Sequence, residues 1–285
     1  MKTYPLVSVG MPVYNRPETL VNALECIVNQ TYKNLEIIIS DNASTSNEIE
    51  NIVKRYMKRD KRIFYTKQKE NIGPDRNFQY IISKVSGKYF LLAADDDVRS
   101  LDFIEKNIVF LEKNTDYVAS TSPSRFENGS FNEYVMGDGS IECFDKYDRV
   151  NVFLSSWHSN ARFCSLVRRD EIQKSYAVNS VLGGDWILVL KLLMFGKYKR
   201  IDRGEVILGI GGISHQNSFS MYRKGFLGWI FPFYTLSLAS FGLLKGATIS
   251  QKIKLITNLV KLNAIAFYWQ MKREVYIKVK VLRLK

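Results

Sequence analysis

An α/β fold, Rossmann-like with a mostly parallel central sheet and flanking helices, is what the sequence predicts, and three observations predict it. Strand-like and helix-like apolar patterns alternate over the first 120 residues. Polar and acidic residues, Asn15, Asp41 and Asp95-Asp96-Asp97, recur where the strand patterns end. Ligands on such sheets bind outside the carboxyl ends of the strands, so these residues should share one crevice. Beyond residue 220 the pattern changes to a long uncharged run followed by a basic, helix-periodic tail, which predicts a C-terminal helical extension.

The elements follow in order. Residues 6–12 read as a buried strand. A helix comes next, with Asn15 as its expected N-cap, Pro17 in the first turn, Glu18 three residues after the cap, and Leu20, Leu24, Ile27 and Val28 on one face. Residues 35–39 form the second strand, and Ile49, Ile52, Val53, Tyr56 and Met57 mark an amphipathic helix. A short strand at 63–65 precedes a helix carrying Phe78, Ile81, Ile82 and Val85. The apolar run 89–94 is the fourth strand; Leu101, Ile104, Ile108 and Leu111 mark the next helix, and 117–120 another strand. From 123 to about 162, Gly, Ser, Asn and Asp predict an irregular region that shapes an acceptor site. Order resumes at 163–167, and a helix starts near Asp185 and stops at Gly196. Residues 206–210 form an apolar strand, and 275–281 alternate like one without a clear place in the sheet.

A chain of 285 residues with 46% apolar content can bury a full core. Its three cysteines, Cys26, Cys143 and Cys164, are far apart, which fits a reduced compartment better than a disulfide scaffold. The first residues lack a signal-peptide core, so a cytoplasmic chain is expected. Ten of the 41 bases lie between Lys245 and Lys285 against one acid, Glu274, while the first 244 residues carry 31 bases and 27 acids. The body is near neutral and the tail basic. This argues against nucleic acid as a partner and for a tail that meets an anionic membrane surface.

The acidic triplet carries the chemistry. Like charges at adjacent positions are costly unless a cation joins them, and hard oxygens suit a divalent metal, Mn2+ or Mg2+. Such an ion commonly takes a diphosphate as its further ligand. The competing reading is a solvated acidic turn ahead of the helix near Leu101.

Pro12-Val13-Tyr14-Asn15, the segment 36–45 containing Asp41, Asn71-Ile72-Gly73 ahead of Arg76, and 87–97 ending in the triplet occur in an order and spacing that resembles the family-2 inverting glycosyltransferases of GT-A fold. The resemblance covers roughly residues 5–215. It implies a nucleoside-diphosphate sugar donor, a divalent metal and inversion at the anomeric carbon. It further implies domains at 1–220 (a nucleotide-sugar half to about 120 and an acceptor half after it) and 221–285. Asp41 resembles the residue that hydrogen-bonds the base, although an Asx turn explains it equally. Pro12 and Tyr14 would floor the base, with Asn15 beside them, and Arg76 would meet phosphate charge. Asp95, Asp96 and Asp97 match the metal motif, with Asp95 and Asp96 also placed to touch the nucleotide sugar. The register stays open, because the usual first aspartate falls on Ala94. Asp185, in Gly183-Gly184-Asp185-Trp186, resembles the catalytic base, and a helix N-terminus would keep it ionised. His215 would complete the metal shell; it or His158 would contact the acceptor. Gly209-Ile210-Gly211 lacks the third glycine of a dinucleotide fingerprint and is discounted.

The uncharged residues 226–244 are long enough for a membrane span but diluted by Pro232, Gly228, Gly242 and hydroxyls. A helical hairpin lying on the inner face of the cell membrane is the expectation, with a span or a helical subdomain packed on the core as alternatives. That placement favours a glycan or lipid-linked oligosaccharide acceptor, and residues 40–45 with the triplet look most like enzymes of O-antigen or capsule synthesis. The rivals are a polyprenyl-phosphate glycosyltransferase, which would need an arginine site such as Arg168-Arg169, and a non-catalytic nucleotide- or glycan-binding protein.

Overall fold

The computed structural model describes residues 5–176, 181–210 and 225–282. Its first half alternates as the pattern requires: β1 (Val7–Val13), α1 (Pro17–Val28), β2 (Leu35–Asp41), α2 (Glu48–Arg59), β3 (Ile63–Lys67), α3 (Pro74–Lys84) and β4 (Tyr89–Leu92). A two-residue β5 (Val98–Arg99) follows the acidic triplet, then α4 (Phe103–Lys113) and β6 (Tyr117–Thr121). The remainder comprises β7 (Ser124–Phe126), α5 (Glu133–Met136), α6 (Lys146–Phe153), β8 (Leu166–Arg168), α7 (Arg169–Ser175), α8 (Gly184–Leu193), β9 (Lys197–Arg200) and β10 (Val206–Leu208). Three C-terminal helices end the chain: α9 (Gly225–Ile230), α10 (Tyr234–Leu243) and α11 (Ile249–Leu282).

Seven strands form one sheet in the order β3-β2-β1-β4-β8-β6-β9, and only β8 runs antiparallel to its neighbours. Side chains alternate across it, so each face builds its own core. Ile37, Ile39, Tyr89 and Leu91 pack with α1, α2 and α4. Ile38, Phe90 and Leu92 pack with α3, α6 and α8. A second sheet, β5-β10-β7, lies at the strand ends. Pro12 is accommodated because β1 pairs with β4 only from Val7 to Gly10, so beyond that point it has one neighbour.

Two expectations need correction, and two open readings are settled. Asn15 is not the N-cap of α1; Arg16 is, and Asn15 turns the chain with φ 52°. Its side chain bonds across to the β2 loop instead, which removes it from the helix end. Residues 123–162 are more regular than expected, with β7, α5 and α6; Asn132 and Asp145 cap the two helices, signals that the glycine-rich composition obscured. The alternating residues 275–281 lie within α11, where a helix begun upstream propagates at one hydrogen bond per residue and no sheet edge competes. The uncharged run is broken at Pro232 into α9 and α10, and no helix among the described residues is long and apolar enough to cross a membrane.

The C-terminal helices form a hairpin whose inner face joins the core. Leu236, Leu255, Leu259 and Leu262 are buried in the cluster that holds α8. Asn258 Nδ2 donates to Asn151 O at 3.0 Å, and Phe233 N donates to Asn263 Oδ1 at 3.0 Å, tying α11 to α6 and to α10.

Gly10 tests the packing directly. A Cβ there would meet Ile81 Cγ2 at 2.4 Å and Phe90 Cε2 at 2.8 Å, both fully buried side chains. Gly10→Ala is expected to destabilise the fold by ~1–3 kcal/mol in urea denaturation; a wild-type midpoint would contradict this packing.

Candidate active site

Because β2, β1 and β4 are adjacent and parallel, their carboxyl ends open on one edge. The loops there are laced together. Asn15 N donates to Ser44 Oγ at 3.0 Å, and Thr45 N donates to Asn15 Oδ1 at 2.8 Å. Asn42 accepts from Ile72 N at 2.9 Å and donates to Asn71 Oδ1 at 2.9 Å, which draws the Asn71-Ile72-Gly73 loop onto β2. Asp41 is fully buried: its carboxylate accepts from Ser44 N at 2.8 Å and from the Tyr65 hydroxyl at 2.9 Å. Asp41 therefore braces its own loop, by a bond that reaches three residues on rather than the two of an Asx turn. Pro12 is half-buried beneath the crevice and Tyr14 is exposed at its mouth. Arg76 is exposed on the first turn of α3, and among the described residues no hydrogen bond or ion pair ties it to the other candidates.

The triplet is split. Asp95 and Asp96 share the Arg16 guanidinium, Nη2 with Asp95 Oδ1 and Nη1 with Asp96 Oδ2 at 2.8 Å. Burial raises the Asp95 carboxyl to about 7 against the pull of Arg16, with Asp96 pushing it further up. Asp95 Oδ2 is buried with no hydrogen-bond partner. Asp97 is engaged elsewhere. Its Oδ2 lies 3.5 Å from Arg99 Nη2, and its Oδ1 accepts from Gly209 N at 3.3 Å. Arg99 is buried and also donates to Leu92 O at 2.8 Å. Gly209 presses on Asp96 so closely that a Cβ would lie 2.5 Å from Asp96 Cγ.

Asp185 sits on the first turn of α8, behind Gly183 at φ 78°. Asn160 Nδ2 donates to Asp185 Oδ2 at 2.9 Å. Burial pushes the Asp185 carboxyl upward, outweighing the bond from Asn160 and the expected help of the helix end. Cys164 links the two acidic groups: its thiol lies 3.7 Å from Asp97 Oδ2 and is pushed up by burial, with Asp97 and Asp185 adding to the rise. A cleft lined by Asp75, Phe78, Phe163, Tyr176 and Lys191 leads to Asp185.

His158 is buried and stacked on Trp186 at 4.2 Å. Asn160 N donates to its Nδ1 at 3.0 Å, and its Nε2 lies 3.2 Å from Phe153 O, which assigns a neutral ring protonated at Nε2. Burial holds its pKa down at about 3, with nearby Arg162 adding to the effect. Its place is behind Asp185, bracing Asn160. Arg168 and Arg169 are spent on the scaffold, donating to Tyr117 O at 2.8 Å and Ser86 O at 2.6 Å. His215 lies outside the described residues.

Residues 8–175 match the profile of Glycosyl transferase family 2. The chain belongs to that family. It is 28% identical over 223 residues to Glycosyltransferase GlyA of Streptococcus pneumoniae serotype 4, covering 76% of this chain and 28% of GlyA. It is 32% identical over 159 residues to GlyG of the same organism, covering 55% and 52%. An uncharacterized glycosyltransferase of Haemophilus influenzae is 36% identical over 122 residues, covering 43% and 38%. The chain thus spans about half or less of the length of these curated relatives. Among solved structures, S. aureus TarS 1-349 in complex with UDP-GlcNAc superposes with TM-score 0.67 at 15% identity, covering 89% of this chain and 71% of that one. The mannosyltransferase PcManGT from Pyrobaculum calidifontis, in complex with GDP-Man and Mn2+, gives 0.57 at 14%, covering 97% and 81%. The fold of this family member is the GT-A fold expected from its motifs.

Sequence pattern did not single out Arg16, Asn160 or Gly209 as members of the crevice. Arg16 directly follows the Pro12-Val13-Tyr14-Asn15 motif, a signal available in the sequence. Asn160 and Gly209 reach the site only through tertiary packing.

The neutral histidine has a pH consequence. Between pH about 6.5 and about 3 the unfolded chain binds a proton that folded His158 refuses, so this group removes stability on acidification, at up to ~1.4 kcal/mol per pH unit. His158→Phe keeps a stacked ring and removes the titration. Wild type is expected to lose stability relative to that variant as pH falls through this window in denaturant titrations; parallel curves would contradict the assignment.

Proposed function

We propose that this glycosyltransferase moves one sugar from a nucleoside-diphosphate sugar to a hydroxyl of a glycan or lipid-linked oligosaccharide, with inversion, in bacterial surface polysaccharide (O-antigen or capsule) synthesis. The observation that carries the reading is that the Cys164 thiol lies 3.7 Å from Asp97, the neighbour of Asp95-Asp96, and also within electrostatic reach of Asp185. TarS with UDP-GlcNAc and PcManGT with GDP-Man and Mn2+ support the same ligand class here.

Pro12, Tyr14 and Asn15 form the base-side wall, and Asp41, buried behind it on Ser44 and Tyr65, accepts an N–H from the base edge once ligand entry opens that turn. Arg76 swings in from α3 toward phosphate. Among the described residues no three His, Cys, Asp or Glu side chains already surround a common metal position. The donor chemistry nevertheless fits a hard divalent ion: Asp95 and Asp96 offer adjacent carboxylates, and Asp95 Oδ2 is a buried oxygen awaiting a partner. These two would hold Mn2+ or Mg2+, which stabilises charge developing on the departing diphosphate. Asp97, committed to Arg99 and Gly209 N, braces the turn beneath them.

Asp185 acts as the base. An acceptor hydroxyl oxygen attacks the anomeric carbon, the bond from that carbon to the diphosphate oxygen breaks, and the hydroxyl proton passes to the Asp185 carboxylate. Its raised proton affinity makes it a stronger acceptor wherever it is ionised. Residues 1–220 are read as the catalytic domain, divided near 120 into donor and acceptor halves, and 221–285 as an extension. The use of Arg168 and Arg169 in the scaffold disfavours direct transfer to polyprenyl phosphate.

The extension supplies the membrane contact. Ile249, Ile253, Ile256 and Val260 recur along one exposed stripe of α11, and Tyr234, Leu238 and Phe241 are exposed on α10. Exposed Lys252, Lys254 and Lys261 add positive charge, each worth about 1 kcal/mol near an anionic surface.

Two outcomes are expected. In a transfer assay with Mn2+, Asp185→Asn loses ~10²–10⁴-fold in kcat while nucleoside diphosphates still raise its melting temperature; full turnover would remove Asp185 from the chemistry. The protein co-sediments with anionic vesicles, less so as Ile256→Asp/Val260→Asp; equal sedimentation would place the contact elsewhere.

A further inference from the structure

The two arginines that neutralise the acidic triplet are held in different ways. Arg99 is sealed: its side chain is fully buried, it donates to Leu92 O at 2.8 Å, and its partner Asp97 is covered by Gly209 N and the Cys164 thiol. Arg16 reaches its partners from the open side of the crevice. Its side chain is 28% exposed, whereas those of Asp95 and Asp96 are 0% and 6% exposed. Its backbone is fixed, because Asn15 is pinned to Ser44 and Thr45 and Pro17 begins α1. Only the side chain is free to swing. The fork takes one oxygen from each carboxylate and leaves Asp95 Oδ2 buried and unpaired. A guanidinium is thus an incomplete counter-ion for this pair, and a compact double charge would complete it.

We infer that Arg16 is an exchangeable cation that holds the Asp95-Asp96 pair until a divalent metal displaces it toward the donor's diphosphate. The inference rests on the reading that these two carboxylates bind the metal. Metal alone must evict a guanidinium that then has no anionic partner. Metal arriving with a diphosphate gives that guanidinium a new one. The two ligands therefore bind with positive coupling, which thermodynamics makes reciprocal. Without metal, Arg16 partly neutralises the pair.

The test is a Mn2+ titration of the full chain followed by the electron paramagnetic resonance of free Mn2+, with and without UDP or GDP. Wild type is expected to bind Mn2+ weakly alone and at least tenfold tighter with a diphosphate. Arg16→Gln is expected to bind Mn2+ alone several-fold tighter than wild type, with a correspondingly smaller gain from the diphosphate. Arg16→Lys, a point charge that cannot fork, should fall between them and serves if the glutamine variant does not fold. Mn2+ affinity no tighter in either variant overturns the inference. Asp96→Asn separates the two layers: if it abolishes Mn2+ binding while the Arg16 variants leave it unchanged, only this role of Arg16 fails. If Asp96→Asn binds Mn2+ as wild type does, the metal reading fails and takes the inference with it.

Discussion

Three consecutive aspartates buried at the end of β4 must be matched by positive charge, and much of the molecule is arranged to supply it. An uncompensated buried carboxylate costs several kcal/mol, comparable to a large share of a domain's net stability. Arg99 answers from β5, which explains why a two-residue strand is held in its own sheet by β10. Arg16 answers from the start of α1, which explains why the chain turns sharply at Asn15 before the helix begins. Gly209, packed against Asp96, closes that flank of the cluster. Scaffold and ligand site are therefore one electrostatic object.

The opposite wall follows a different logic. Among the described residues no cation pairs with Asp185; Asn160 does, and behind Asn160 is a neutral histidine stacked on Trp186. A helix N-terminus is worth only ~0.3–1 kcal/mol to a carboxylate, and burial in this wall exceeds it. The outcome is a carboxylate with heightened proton affinity, oriented by a side-chain amide. On the proposed reading the acidic pair gathers positive charge and Asp185 accepts a proton, the division of labour that sugar transfer to a hydroxyl needs.

The strand ends were legible because period-two apolar runs stop where Asn15, Asp41 and Asp95 begin, and parallel order places those ends together. Asp185 was singled out by its place before an apolar helix, and the structure puts it on the first turn of α8. The split within the triplet was not, since identical neighbours differ only in what packs on them: Gly209 and Arg99 arrive from β10 and β5, partners that no local pattern announces. Asn160 was hidden for the same reason, and its left-handed backbone, φ 54°, gave no compositional signal. In the tail, β-branched alternation at 275–281 suggested a strand, yet local propensity is a weak prior against a helix already under way.

The most direct measurement is an anomalous-scattering map from crystals grown with Mn2+ and a nucleoside diphosphate. This account predicts a single strong peak touching Asp95, Asp96 and the diphosphate, with Asp97 still paired to Arg99 and Asp185 facing the terminal phosphate across the crevice. A bound nucleotide with no metal on those two carboxylates, or with Asp185 on the far side of the protein from the phosphate, would contradict it.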